Sequence, residues 1–144
     1  MLRDDLDARD RESLLMESPP PSLLELRDLL EQAWCAETAY DSFTYEGRDP
    51  AWGQCYVTAV FLYHHLDGEI KRGWVSSPEM RPCRHYWNQI DGLDIDLTWR
   101  QFPAGSRLTD IERVDKKCLL ASVDARARYD LLVKNVANLR AEPS

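Results

Sequence analysis

The sequence predicts an α+β domain in which a buried helix packs on a small antiparallel sheet and a further helix closes the chain. Three observations carry this reading. Residues 53–66 are apolar around most of a helical circumference, as in a helix enclosed by the core rather than lying on it. Asp91-Gly92 stands between two β-type runs, one of the strongest short-range hairpin signals. Tyr129, Leu132, Val133, Val136 and Leu139 recur at helical spacing near the C-terminus. A length of 144 residues suits one domain, and a core of that size buries about two thirds of the unfolded surface without a metal or disulfide staple.

The elements follow in order. Residues 1–22 are rich in Asp, Glu and Arg and end in Pro19-Pro20-Pro21, a stiff spacer that cannot continue a helix. They are expected to form a mobile tail, with at most a weak helix through Leu14-Leu15-Met16. Ser22 with Glu25 has the spacing of a capping box, and Leu23, Leu26, Leu30, Ala33 and Trp34 then mark one apolar face. Residues 38–50 read as a loop. The buried helix 53–66 ends at Asp67-Gly68, where glycine supplies a left-handed stop. Residues 69–75 alternate as a strand, and 76–84, with two prolines, read as a loop. Residues 85–90 and 93–98 are the arms of the hairpin, after which Pro103 turns the chain away. Thr109 with Glu112 has capping-box spacing and predicts a short helix. The last helix is expected over 123–139, which makes 23–139 the folded domain and 140–144 a flexible end.

Composition narrows the function. Lys and Arg total 18 against 25 Asp and Glu, a net charge of −7, of which the tail contributes −3. This argues against nucleic acid and anionic membranes, whose binding depends on clustered Lys and Arg. No stretch approaches the apolar length needed to span a bilayer. The charged N-terminus lacks the apolar segment of a secretory signal, so the expected location is cytoplasmic. Cysteines at 35, 55, 83 and 118 include no CxxC pair, and the histidines are His64, His65 and His85. That spacing offers no zinc site, and a reducing compartment favours free thiols.

The cysteines are not equivalent. Cys55 falls at the start of the buried helix, where unpaired N–H groups and the helix dipole stabilise an anion such as a thiolate. Cys35 lies near a helix end, where the dipole works the other way. Cys83 is expected in a loop and Cys118 in a core-like setting before Leu119-Leu120. A two-residue turn at Asp91-Gly92 pairs Gln89 with Asp94 and places His85, Trp87, Gln89, Asp94, Asp96 and Thr98 on one face. Asp96 is then the diagonal neighbour of His85, while Asp94, nearer the turn, is expected to be solvated. A helix-start thiol, a strand histidine and a carboxylate on the next strand are the parts of a Cys-His-Asp nucleophilic site. Plain alternatives are a packed core cysteine and a surface His–Asp hydrogen bond. Trp52 and Trp87 flank the site as candidate pocket walls, and the other tryptophans read as core. A protonated His64 or His65 would complement the dipole at the helix C-terminus.

Pro50-Ala51-Trp52-Gly53-Gln54-Cys55, His85-Tyr86-Trp87-Asn88 and Asp96-Leu97-Thr98-Trp99-Arg100-Gln101-Phe102 resemble the YunG-like family of small bacterial proteins. The same segments look like the papain-like and transglutaminase-like cysteine-enzyme superfamily, in which a cysteine opens a helix and His and Asp follow on strands. The resemblance covers about 23–139, including Arg128-Tyr129-x-x-Leu132. It implies Cys55 as nucleophile, His85 as base and Asp96 as orienting acid, with no cofactor and no metal. One departure concerns the oxyanion donor. Papain-like enzymes carry a Gln several residues before the cysteine, whereas Gln54 is adjacent and points about 100° away on a helix. Its expected place is substrate binding or bracing the loop, with the Cys55 backbone N–H as oxyanion donor.

The expected function is a cysteine-nucleophile enzyme acting on a small-molecule or peptide amide or acyl group through a thioester. Hydrolysis and acyl transfer to an amine share this machinery. The alternative is a non-catalytic binding module that keeps the fold.

Overall fold

The computed structural model describes residues 23–141. The tail 1–22, with its expected weak helix and the Ser22 cap, lies outside the described residues, as do residues 142–144. Among the described residues, three α-helices and a four-stranded antiparallel sheet make up a mixed α+β fold. The helices are α1 (Leu23–Ala33), α2 (Cys55–Leu66) and α3 (Val123–Ala141). The strands β1 (Glu69–Ser77), β2 (Met80–Ile90), β3 (Leu93–Ile95) and β4 (Arg107–Arg113) lie in the order β3-β2-β1-β4.

The core forms where apolar faces meet. Leu23, Leu26, Leu30 and Ala33 turn the buried face of α1 inward, and α3 answers with Ala125, Tyr129, Leu132 and Val136. Helix α2 is enclosed on all sides through Val57–Leu62, as its uniformly apolar sequence requires. It packs on β1 and β2, while α3 packs on both α1 and α2. The side chain of Asn88 is buried and donates to the Ala59 carbonyl at 2.9 Å, which ties β2 to α2. Tyr56 and Tyr86 meet edge to face across the same contact.

The hairpin has the expected register, with Ile90 opposite Leu93, Gln89 opposite Asp94 and Asn88 opposite Ile95. Asp91 and Gly92 both have positive φ, 51° and 79°, the mirror-image turn that matches strand twist. The second arm is shorter than expected. It ends at Ile95, and Asp96 begins the loop beyond it.

Two elements differ from the sequence reading. Residues 76–84 are not a loop but the end of β1, a tight turn and the start of β2. Pro82 is tolerated because β3 pairs only with residues 88–90, so one side of β2 is an open edge there. Residues 107–113 form β4 rather than a helix. This strand pairs with β1 alone, with a register shift between Arg72 and Trp74, and is exposed along most of its length. The capping-box spacing of Thr109 and Glu112 has no helix to cap, and Glu112 instead binds Arg72 and Arg84 at 2.6 and 3.0 Å.

Candidate active site

The site starts from a turn. Gly53 has φ +72°, and a Cβ there would lie 3.0 Å from the Tyr40 backbone nitrogen and 3.2 Å from the Ala39 Cβ. Tyr40 N–H donates to the Gly53 carbonyl at 2.8 Å, and only glycine allows that approach in a left-handed conformation. The Gly53 N–H donates to Gln101 Oε1 at 3.1 Å, and Gln101 Nε2 donates to the Thr98 carbonyl at 3.0 Å. One side chain therefore links the strap before α2 to the loop that carries Asp96.

Gln54 caps α2 but does not face a substrate. It is 0% exposed; Oε1 accepts from Thr38 Oγ1 at 2.7 Å and Nε2 donates to the Cys35 carbonyl at 2.9 Å. The substrate-binding expectation for Gln54 gives way to the bracing one, because both ends of its amide are used inside the protein. Cys55 follows as the first residue of α2.

His85 is 0% exposed and Asp96 1%. His85 Nε2 lies 2.5 Å from Asp96 Oδ2. The other carboxylate oxygen, Oδ1, accepts from Thr98 N at 3.2 Å, so a local turn aims the acid at the imidazole. Trp87 stacks on the His85 ring at 5.7 Å, and Phe102 meets it edge-on at 4.8 Å. Trp87 is only 2% exposed. It supports the imidazole from within the core and does not wall a pocket, contrary to expectation. Asp94, expected in solvent, has its Oδ1 enclosed without a hydrogen-bond partner among the described residues.

Burial by itself would lower the pKa of His85. The Asp96 hydrogen bond and charge, together with Cys55, outweigh burial and raise it to about 9. The ring is thus an imidazolium at neutral pH. With Nε2 taken by Asp96, Nδ1 is the nitrogen left for the thiol. It is enclosed and has no hydrogen-bond partner at bonding geometry among the described residues; such contacts are often loose in unliganded sites.

Cys55 opens onto a cleft of about 850 Å³. Trp52 lines it, as expected, with Arg48 stacked on its ring at 4.2 Å. Cys83 and Cys118 line it too, so neither holds its expected setting: Cys83 lies on β2 and Cys118 is exposed. Burial first, and the nearby Cys55 second, raise the pKa of Cys83. His64 also departs from the reading. Burial, then the charges of His65 and Arg126, lower its pKa, and its Nδ1 lies 2.6 Å from the Tyr129 hydroxyl. The bracing Gln101 and the covering Phe102 were given no role from sequence, although both stand in the segment that begins at Asp96.

A family model described as YunG protein matches residues 22–140. The chain belongs to the YunG family. Cys55, His85 and Asp96 all fall inside the stretch that matches YunG. A relative in Bacillus subtilis (strain 168), named Uncharacterized protein YunG, is 32% identical over 76 residues. That alignment covers 53% of this chain and 59% of the relative, less than two thirds of its length. No solved structure matches. Among the described residues no helix is long and apolar enough to cross a membrane.

Proposed function

We propose that this chain is a Cys-His-Asp enzyme that acts on an amide or acyl carbon through a thioester, on a papain-like or transglutaminase-like plan. The observation that carries the reading is the buried 2.5 Å contact between His85 Nε2 and Asp96 Oδ2, set beside a cysteine at a helix start on an open cleft. A buried ion pair without a task is an expensive arrangement. The order of parts supports the plan: thiol on a helix, histidine on a strand, acid just past the next strand.

In this mechanism the imidazolium of His85 already carries the proton given up by Cys55, and the thiolate Sγ forms a bond to the carbonyl carbon. The carbonyl oxygen takes up negative charge, which the N–H of Cys55 at the helix start offsets. As the tetrahedral intermediate collapses the C–N or C–O bond breaks, and His85 returns the proton to the departing amine or alcohol. Water or an acceptor amine then attacks the thioester and regenerates the thiol. Asp96 keeps the ring oriented and balances the imidazolium. The substrate is a small molecule or peptide, and unpaired thiols suit a reducing compartment such as the cytoplasm.

An activity-based electrophile followed by mass spectrometry tests the reading without a known substrate. At pH 6 iodoacetamide should label Cys55 ahead of Cys118, despite the greater exposure of Cys118. Cys55→Ala should abolish labelling by the electrophile. Equal labelling of Cys55, Cys35 and Cys118 at pH 6 sinks the proposal.

A further inference from the structure

The same cleft holds a cation that the mechanism does not use. Arg128 lines it, and its side chain is only 10% exposed. The guanidinium lies over the Tyr40 ring at 5.7 Å, and Nε donates to Asp124 Oδ2 at 3.0 Å. Nη1 is enclosed and has no hydrogen-bond partner among the described residues. A buried guanidinium N–H without an acceptor is costly. Asp124 takes Nε, and the unpartnered Nη1 donor is of the kind a carboxylate oxygen satisfies.

The remaining charges narrow the assignment. Arg72 and Arg84 also line the cleft, but Glu112 already holds both. Asp41 and Asp124 supply negative charge on the wall. The start of α3, through Ser122, Asp124 and Ala125, borders the cleft, as does the start of α2 at Cys55. Two helix N-termini thus open on one space, and both favour an anion. The rest of the wall is largely aromatic, with Tyr40, Trp52, Tyr56 and Phe102.

We infer that the cleft selects a substrate bearing a carboxylate and an apolar body, and that Arg128 binds that carboxylate through its unpartnered Nη1 while the amide or acyl carbon faces Cys55. This rests on the thiol chemistry proposed above and adds the substrate class.

The test compares N-acetylphenylalanine with its neutral counterpart, N-acetylphenylalaninamide, as ligands of the full chain carrying Cys55→Ala. Thermal shift and tryptophan fluorescence read binding without any need for a reactive thiol. The acid should raise Tm and the amide should not. Arg128→Gln should weaken the acid by roughly 10- to 100-fold, the range of a charge-assisted hydrogen bond, and leave the amide unchanged. Arg128→Lys keeps the charge without the fork and should fall between them, which preserves the test if the Gln variant does not fold. Equal binding of acid and amide, binding of neither, or full acid binding by Arg128→Gln overturns the inference. A separate arm tests whether the acid protects Cys55 of the unmodified chain from iodoacetamide. If Cys55 shows no selective reactivity while the acid still binds through Arg128, the thiol chemistry fails and the carboxylate site stands.

Discussion

His85 and Asp96 meet at 2.5 Å inside the protein, with neither side chain reaching solvent. The acid is held from behind by Thr98, so the pair is oriented before anything enters the cleft. Asp96→Asn keeps the shape and removes the charge. The His85 titration should fall well below about 9, as followed by NMR of its ring carbons. A midpoint still near 9 would show that Asp96 is not what sustains the charge.

Folding and protonation are linked through the same ring. The folded pKa of about 9 exceeds the ordinary histidine value of 6.5, so the native state holds a proton that the unfolded chain releases between those values. The stabilisation is full below about pH 6.5 and is lost as pH rises through about 9. Its size is on the order of 3 kcal/mol. Urea unfolding at pH 6 and pH 9.5 should show that decline, and His85→Gln should flatten it.

Gly53→Ala tests the strap that delivers the thiol. A left-handed conformation and a Cβ 3.0 Å from the Tyr40 nitrogen should together cost about 2 kcal/mol or more. Denaturant melts measure that loss, and alkylation of Cys55 should slow as the helix start shifts. An alanine variant with native stability would mean that the strap relaxes freely.

Gln54→Ala separates bracing from binding. Removing the amide breaks its hydrogen bonds to Thr38 Oγ1 and the Cys35 carbonyl, each worth about 1 kcal/mol. The variant should melt earlier while its affinity for N-acetylphenylalanine stays within twofold of the parent, roughly 0.4 kcal/mol. A selective loss of affinity with normal melting would return Gln54 to the substrate.

Much of this site was legible because periodicity and turn chemistry are local. Asp91-Gly92 sets the register that brings Asp96 to His85, and the apolar run 53–66 places Cys55 at a helix start. What was missed depends on neighbours distant in sequence. Gln54 and Trp87 read as site residues because they adjoin Cys55 and His85, yet Thr38 and Cys35 claim the first and burial encloses the second. Residues 107–113 carry no alternation to betray a strand, since nearly every side chain is exposed and only pairing with β1 sets the backbone. Arg128 sits on an ordinary helical stripe, and its unpaired Nη1 is visible only once Tyr40 and Asp124 surround it.

Strand β4 has a consequence for the molecule as a whole. Its outer margin presents backbone donors and acceptors that no strand of this sheet takes up, a template on which another chain could extend the sheet. The surface around that margin discourages it. Arg107, Asp110, Glu112 and Arg113 line a short strand, and Asp110, at φ 53°, breaks the extended path beside the register shift. A second chain would meet charges and a kink where it needs a flat ladder, so among the described residues the sheet ends at β4 with its charged, kinked margin opposing aggregation through the open side.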